Sequence, residues 1–378
     1  MIKSALILIT LIFALPGLAT IPDIKVRIGK GLSRISVKGT DVFNDLNFQG
    51  QKRAYSGKTT VNFNCVPRLS SRIQSDRPVL YASLKSSTGI IAWEGNHYQG
   101  DLLVVTTKDQ ESCDLVNRVP LETYIKTLLT KEMNGKWPIE ALKAQAVAAR
   151  TYAIHKMQTN EVSRLVGHEA YYDVENSEKH QVTGTFFDTA KNSDDATRDT
   201  TGEILETKTG HITPIFFHSK CGGITLTPDQ AWENKVEGYE SVECPFCKNH
   251  GPKPWNFVME RSSFQKDLLK FLKKDQATAA KIQVVPDEHE KLALRFYVDD
   301  MLYKISKVKF RNFIGRNSVP SNYFKIKIDG NQVVFSGEGN GHGVGLCQFG
   351  ALDLAERGWD YKKILAHYFP NHILKKLY

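Results

Sequence analysis

The sequence predicts an α+β fold, and three observations lead to that prediction. Short strand-like runs fill the N-terminal part of the chain, two helix-like segments follow at its centre, and further strand-like runs with two short helices close it. Strands and helices are grouped along the chain instead of alternating, which favours α+β over a parallel α/β sheet. The 378 residues contain no internal repeat or low-complexity linker. We therefore expect one interwoven unit with a β-rich N-terminal region and a central helical pair.

Residues 1–19 resemble a signal peptide. Lys3 precedes a short apolar run, and Gly17 and Ala19 supply the small residues that suit cleavage after Ala19. The run is short for a membrane span, and no later stretch is long and apolar enough, so no transmembrane anchor is expected after cleavage. We predict an exported protein of the periplasm or cell wall.

The charge balance is basic. The formal net charge is +9, and loss of Lys3, the only charged residue of the leader, lowers it to +8. A basic protein favours anionic partners, and for an exported protein an acidic cell envelope is such a partner. Basic residues are scattered and form no recognisable nucleic-acid module, so no nucleic-acid partner is expected.

Residues 20–105 form the predicted β-rich N-terminal region. The strand-like runs are IKVRI, VNFNCV, IIAW and LLVVTT, separated by Gly, Asn, Asp and Ser. Residues 106–378 are assigned to a second domain, which contains every candidate site residue.

The predicted helical pair lies between Val119 and Ile154. The apolar spacing of Leu121, Ile125, Leu128 and Leu129 indicates a first helix, which Asn134 and Gly135 end. Pro138 opens a second helix, whose apolar face consists mostly of small residues: Ile139, Leu142, Ala146, Ala149 and Ala153.

Glu132 lies at the break between these helices, where a lone catalytic acid could sit. Arg150, on the second helix, could place a permanent cation near that carboxylate. The alternative is that Glu132 is a solvated residue paired with Lys136 at helical spacing.

The later part of the chain contains four predicted features. EILET and ITPIFFH, on either side of residues 208–211, have the pattern of a hairpin. Ser262 and Gln265 form a capping box for an amphipathic helix, and strand-like runs occupy about 292–336. Two short helices follow, the first ended by Gly358 and the second begun by Asp360 and stopped before Pro370.

The run SGEGNGHGVGLCQFGA, residues 336–351, contains six glycines together with His342, Cys347 and Gln348. Such glycine density permits unusual backbone angles and lets a ligand or another strand approach the main chain. The run matches neither the dinucleotide-binding nor the phosphate-loop pattern. The structural alternative is a tight strand-to-helix connection in which His342 only supplies hydrogen bonds.

Six cysteines in an exported chain make disulfides credible. His218, Cys221, Cys244 and Cys247 have the spacing H-x2-C and C-x2-C, which can surround a structural zinc ion. Two of these three cysteines could instead form a disulfide, which would leave the third thiol to pair with Cys347. Cys65 and Cys113 could form a separate bridge.

Other catalytic patterns are absent from the sequence. His168-Glu169 lacks the second histidine of a zinc peptidase, and no G-x-S-x-G elbow indicates a nucleophilic serine. Four aromatic residues could stack on sugar rings or belong to the core: Trp137, Tyr171, Tyr172 and Trp232.

Taken in order, several segments resemble the SpoIID/LytB family, named for stage II sporulation protein D. The resemblance runs from about Tyr98 onward. Its segments are VPLETYIKTLLTKEM, WPIEALKAQAVAARTYA, FFHSKCGGITL, FRNFIGRNSVPSNYFKI and GNGHGVGLCQFGALDLAERGWDYKKILAHYFPN.

The resemblance implies a SpoIID-like catalytic unit acting as a lytic transglycosylase on peptidoglycan strands stripped of their peptides. It places the catalytic acid at Glu132 and an associated arginine at Arg150, and it requires no cofactor for the chemistry. Glycan-binding candidates are Gln145, His342 and Gln348. The family also implies an alternative, a noncatalytic wall-binding protein that enhances a cell-wall amidase.

One departure from the family concerns a zinc pattern that some members have in the segment corresponding to His168 through His180. Here Val174 and Lys179 stand at two ligand positions, and His180 replaces a cysteine. We therefore do not expect that metal site in this chain.

Overall fold

A computed structural model describes residues 20–47, 52–65, 78–165, 171–176, 190–274, 280–285 and 292–378. The predicted signal peptide lies outside these residues. So do His168, Lys179 and His180, which belong to the segment where some family members have a zinc pattern. The fold is α+β, as the sequence predicts. Its described residues bury three large apolar clusters: an N-terminal β core, a central helical core and a later α/β core.

The N-terminal region is a nine-stranded sheet in the order β6-β5-β2-β4-β7-β8-β1-β9, with β3 paired to β2. Its strands are β1 (Asp23–Leu32), β2 (Arg34–Asn47), β3 (Arg53–Asn64), β4 (Leu80–Ser86), β5 (Ile90–Trp93), β6 (Asn96–Gln99), β7 (Asp101–Thr106), β8 (Cys113–Pro120) and β9 (Val174–Glu175). All four predicted strand runs overlap strands of this sheet. The sheet continues past the predicted boundary at residue 105, because β8 pairs with both β7 and β1.

The helices of the described chain are α1 (Leu121–Glu132), α2 (Ile139–Leu165), α3 (Lys191–Asp199), α4 (Pro228–Trp232), α5 (Arg261–Phe271), α6 (Lys307–Ile314), α7 (Gln348–Glu356) and α8 (Tyr361–Tyr368). The remaining strands are β10 (Glu203–Thr207), β11 (Phe217–His218), β12 (Trp255–Glu260), β13 (Ile282–Val285), β14 (Ala293–Val298), β15 (Met301–Ser306), β16 (Tyr323–Asp329), β17 (Gln332–Glu338), β18 (Leu346–Cys347) and β19 (His372–Lys376). In the part of the chain that the structure describes, no helix is both long and apolar enough to cross a membrane.

Helices α1 and α2 confirm the predicted helical pair. Met133 has an extended backbone and ends α1 at Glu132, and α2 begins directly after Pro138. Small buried residues such as Ala146, Ala149 and Ala153 let neighbouring elements approach α2 closely. Helix α2 consequently packs against α1, α3, α7, α8 and β10, and it forms the axis of the central core.

Two local predictions are wrong. The predicted hairpin does not form: β10 pairs antiparallel with the C-terminal strand β19, and the second run is not a strand beside it. The predicted capping box is also absent, because α5 begins at Arg261, one residue before Ser262. Periodicity identifies these elements, but their partners and first residues depend on tertiary packing.

The final two helices confirm their predicted boundaries. Gly358 has φ +83° after α7, a left-handed conformation that glycine adopts without strain. The Asp360 carboxylate accepts a hydrogen bond of 2.7 Å from the Lys363 backbone and caps α8.

The third core lies within residues 255–338, between the segments that build the candidate site. Phe264, Phe296, Phe310 and Phe335 meet at its centre. The predicted strand-like stretch of 292–336 contains β14 to β17, but it is interrupted by α6, which sequence periodicity did not identify.

Candidate active site and cysteine cluster

Glu132 is the last residue of α1, and its side chain is half-buried. The pKa of Tyr124 is raised well above its usual value, mainly by burial and further by the charges of Glu132 and Tyr152. Glu132 therefore lies near enough to the buried Tyr124 to act on its hydroxyl electrostatically. Glu132 and Lys136 do not share a helix, as their predicted pairing at helical spacing requires. Helix α1 ends at Glu132, and Lys136 lies in the following turn.

Arg150 does not support Glu132 in the way the sequence suggested. Its fully buried guanidinium pairs with Glu122, with distances of 2.8 Å from Nε to Oε1 and 2.7 Å from Nη2 to Oε2. A third hydrogen bond of 3.0 Å reaches the Glu203 carbonyl. This bidentate pair fixes α1, α2 and β10 together, so the predicted placement of Arg150 beside Glu132 is wrong.

Glu122 is the centre of a wider network that the sequence did not indicate. Besides Arg150, its carboxylate accepts hydrogen bonds from the Gly202 backbone at 3.1 Å and the Tyr378 hydroxyl at 2.6 Å. Glu122 and Arg150 are 28 residues apart, so helical periodicity cannot reveal the pair. The network holds the chain terminus against the helical pair.

His218 and His342 bind the two backbone polar groups of Val344, in the glycine-rich run. His218 Nδ1 lies 3.0 Å from the Val344 carbonyl, and the Val344 N–H donates to His342 Nδ1 at 3.1 Å. These bonds place the proton of His218 on Nδ1 and that of neutral His342 on Nε2. Both histidines thus have a structural role in this segment.

Burial lowers the pKa of both histidines. The pKa of His218 falls to about 4, and that of His342 falls to about 3, with the charge of His218 as the second cause for His342. Both rings are therefore neutral near pH 7. His218 Nε2 is buried and has no hydrogen-bond partner among the described residues.

An aromatic cluster surrounds His342. Its ring lies 5.0 Å from the Trp232 ring and 6.4 Å from the Phe216 ring, measured between centroids. Phe216 in turn packs against Tyr152, at 6.1 Å. Tyr152 thus joins α2 to the residues around His342.

The other predicted aromatic candidates belong to packing contacts. Trp137 packs against Phe349, while Tyr171 and Tyr172 pack on the N-terminal sheet. Trp232 is therefore the one of the four that lies beside His342.

The glycine-rich run confirms the expected unusual backbone. Gly339, Gly341, Gly343 and Gly345 all have positive φ, between +72° and +106°. A Cβ added to Gly345 would lie 2.2 Å from the Phe216 carbonyl oxygen, so only glycine permits this approach of two chain segments. Both predicted roles of the run, close backbone approach and a strand-to-helix connection through β18 and α7, are confirmed.

The same run contacts the turn that follows Glu132. Trp137, in the turn between α1 and α2, packs on Phe349 with 5.0 Å between ring centroids. Phe349 also donates its backbone N–H to the Ser219 carbonyl at 3.1 Å. Segments far apart in the sequence therefore meet near the predicted acid.

The two predicted glutamines are buried. Gln145 is 0% exposed, and its side-chain oxygen and nitrogen have no hydrogen-bond partner among the described residues. Gln348 is the first residue of α7 and is 6% exposed. Both side chains are therefore packed inside the protein, and their roles in glycan binding stay predictions.

Four buried cysteines form a cluster: Cys221, Cys244, Cys247 and Cys347. Their sulfur atoms all lie within 4.8 Å of one another. Cys347 thus occupies the fourth place, which the sequence pattern gave to His218, because β18 pairs with β11 and brings Cys347 beside residue 218. Separately, Cys65 and Cys113 form the predicted disulfide.

Comparison with known proteins identifies the family. The family profile described as stage II sporulation protein matches residues 109–206, the segment that contains Glu132, Gln145 and Arg150. An uncharacterized protein of Brachyspira hyodysenteriae is 33% identical over 275 residues, which cover 73% of this chain and 71% of that protein.

Relatives with descriptive names include a sporulation protein and an amidase enhancer. The stage II sporulation protein D of Bacillus amyloliquefaciens is 29% identical over 262 residues, 67% of this chain and 74% of that protein. The amidase enhancer of Bacillus subtilis is 24% identical over 335 residues, 76% of this chain and 45% of that protein. The chain therefore belongs to the family of stage II sporulation protein D.

Proposed function

We propose that this protein is an exported peptidoglycan lytic transglycosylase in which Glu132 is the single acid/base. The observation that carries the proposal is the position of Glu132. It ends α1 near the buried Tyr124 and precedes a turn that packs, through Trp137 and Phe349, on the glycine-rich run. Family membership supports a cell-wall role.

The proposed reaction uses one carboxyl group twice. Protonated Glu132 donates a proton to the glycosidic oxygen as the bond between that oxygen and C1 breaks. The C6 hydroxyl of the same sugar then forms a bond to C1, and its proton returns to the Glu132 carboxylate. The products are a 1,6-anhydro end and a free hydroxyl, without a water molecule and without the second carboxylate of ordinary glycosidases.

The first step needs Glu132 as a neutral acid. The proposal therefore requires partial burial at the C-terminal end of α1, where the last carbonyl groups carry partial negative charge, to hold the proton on the carboxyl at the start.

Arg150 is a positioning residue in this proposal. Its pair with Glu122 holds α1 against α2, and the orientation of α1 sets where Glu132 projects. His342 and Trp232 are the candidates for sugar contact, since their rings lie 5.0 Å apart between centroids and an aromatic surface suits stacking on a sugar ring.

A second candidate function is a noncatalytic enhancer of a cell-wall amidase. The name of the relative from Bacillus subtilis favours it. In that case the fold would bind wall glycan or the amidase, and the Glu132 carboxyl would be dispensable.

The two functions separate in one experiment. In the first assay, purified mature protein is incubated alone with peptide-stripped glycan. In the second, it is added to an amidase that acts on intact cell wall. Both assays are repeated with Glu132→Gln. The proposal predicts glycan cleavage by the wild type and none by the variant. An enhancer predicts no cleavage by either protein and equal stimulation of the amidase by both.

A further inference from the structure

We propose that Cys221, Cys244, Cys247 and Cys347 bind one structural zinc ion through four thiolates. The geometry of the sulfur atoms is the first support. Zinc–sulfur bonds of about 2.3 Å in a tetrahedron place the sulfurs about 3.8 Å apart. Here the sulfurs of Cys221 and Cys247 are 3.5 Å apart, and all four lie within 4.8 Å of one another.

Hydrogen-bond donors point at the sulfurs, as they do in metal–thiolate sites. The Gly223 N–H donates to Cys221 Sγ at 3.3 Å, and the N–H groups of Cys221 and Gly350 each donate to Cys347 Sγ at 3.4 Å. The Tyr368 hydroxyl lies 3.1 Å from Cys244 Sγ. Such contacts stabilise sulfur as a negatively charged acceptor and orient it toward a metal.

The local backbone is shaped around this cluster. Cys244 is the N-cap of a short 3-10 helix, Pro245–Asn249, and Cys247 lies within it, so this tight turn brings both sulfurs into the cluster. Gly350 leaves room at the cluster, since a Cβ there would lie 2.7 Å from Cys244 Sγ and 2.0 Å from the Tyr368 hydroxyl oxygen. The site is thus built from several segments and does not depend on one cysteine motif.

His218 is not part of this ligand set. Its Nδ1 is engaged with the Val344 carbonyl, and it does not belong to the group of ligand atoms within 4.8 Å. Four thiolates complete the tetrahedron, which leaves no position for water and makes the site structural.

Zinc also explains how four buried thiols remain reduced in an exported protein. The structure closes Cys65 and Cys113 into a disulfide, yet it leaves the four clustered cysteines as separate thiols. Cys247 lines a cavity of about 550 Å³, which provides a route for metal entry to an otherwise buried site.

The bound ion would stabilise the segments that carry His218 and Gln348 in the candidate active site. Cys221 follows His218 by three residues, and Cys347 caps the N-terminus of α7 next to Gln348. The ion would therefore join the two segments that hold the Val344 contacts. This inference does not require Glu132 to be catalytic.

Metal and thiol analysis of the full mature protein tests the inference. It predicts one zinc per chain by elemental analysis and four titratable thiols in denaturant with chelator. Replacement of the metal with cobalt(II) should give the sulfur-to-metal charge-transfer absorption of a tetrahedral thiolate site. Three disulfides, or four free thiols without zinc in protein purified without chelator, would overturn it.

Variants identify the fourth ligand. Cys347→Ser should lower zinc affinity by more than about tenfold, because even residues that only orient ligands contribute 10–100-fold. His218→Ala is the matched control and should keep the zinc stoichiometry and the cobalt spectrum. If His218→Ala changes the cobalt spectrum while Cys347→Ser leaves it intact, the assignment of Cys347 is wrong. The cobalt spectrum of the wild type decides the thiolate set even if a variant fails to fold.

Discussion

Replacement of Arg150 by methionine should destabilise the central helical core by about 3–5 kcal/mol, the cost of leaving one member of a buried ion pair without its partner. The Arg150 side chain is 0% exposed and that of Glu122 is 13% exposed. The substitution removes three hydrogen bonds, two to the Glu122 carboxylate and one to the Glu203 carbonyl. Methionine preserves much of the apolar stem, so the loss reports on the polar contacts.

Urea unfolding and hydrogen exchange of the α1 and α2 amides measure this change. Arg150→Lys keeps the charge but cannot form the bidentate contact, so its loss should be intermediate. The double variant Glu122→Gln with Arg150→Met should lose less than the sum of the two single variants, because no buried carboxylate is then left unpaired.

Arg198→Met is the matched control, since its side chain is 69% exposed and pairs only at the surface. It should leave the unfolding curve unchanged within error. The reasoning is refuted if Arg150→Met keeps the stability of the wild type but loses glycan cleavage. The guanidinium would then act on the reaction directly instead of positioning α1.

Three further predictions concern the glycine-rich run, the histidines and the disulfide. Gly345→Ala should fail to fold stably or lose the contact between β11 and β18, because its Cβ would overlap a backbone carbonyl oxygen; circular dichroism and limited proteolysis measure this, and wild-type stability would contradict it. His218 and His342 have pKa values lowered to about 4 and about 3, so the unfolded chain binds protons first as the pH falls below about 6.5. Stability should decline from about pH 6.5 towards pH 3, and a His218→Gln, His342→Gln double variant should show a flatter decline in urea unfolding at each pH. Serine at both Cys65 and Cys113, which are 48 residues apart, should cost about 4 kcal/mol in the N-terminal sheet; hydrogen exchange should show the loss in that sheet, and equal loss in α2 would contradict a local effect.

Local patterns in the sequence predict the helical pair well because their physical causes are local. Apolar periodicity defines α1, and Pro138 defines the start of α2. The same holds for α8, where Asp360 caps the first turn. The strand runs of β1 and β5 follow the same logic, since buried positions recur in both strands, whereas β7 is buried along nearly its whole length.

Long-range pairing could not be predicted in the same way. The partner of Arg150 is Glu122, and the partner of β10 is the C-terminal β19. Both choices depend on how whole elements pack, which no short window of sequence records. The residue that completes the cysteine cluster is a further example, because Cys347 reaches it only through the pairing of β11 with β18.

The sequence predicts where the candidate acid Glu132 lies along the chain, but it does not predict which residues surround it. The break between the helices placed Glu132 at a helix end, and the structure confirms that position. The burial of the nearby Tyr124 and the contact of Trp137 with Phe349 arise from tertiary packing. Those contacts give the acid/base proposal a physical setting that residue type alone does not.

The central claim, cleavage without water by Glu132, is tested most directly by digesting peptide-stripped glycan in water labelled with heavy oxygen. Mass spectrometry of the products reads both the end chemistry and the label. Glu356→Gln is the control, since Glu356 also ends a helix but is exposed. The account predicts unlabelled 1,6-anhydro ends from the wild type and from Glu356→Gln, and no products from folded Glu132→Gln. Labelled reducing ends, or undiminished cleavage by Glu132→Gln, would contradict it.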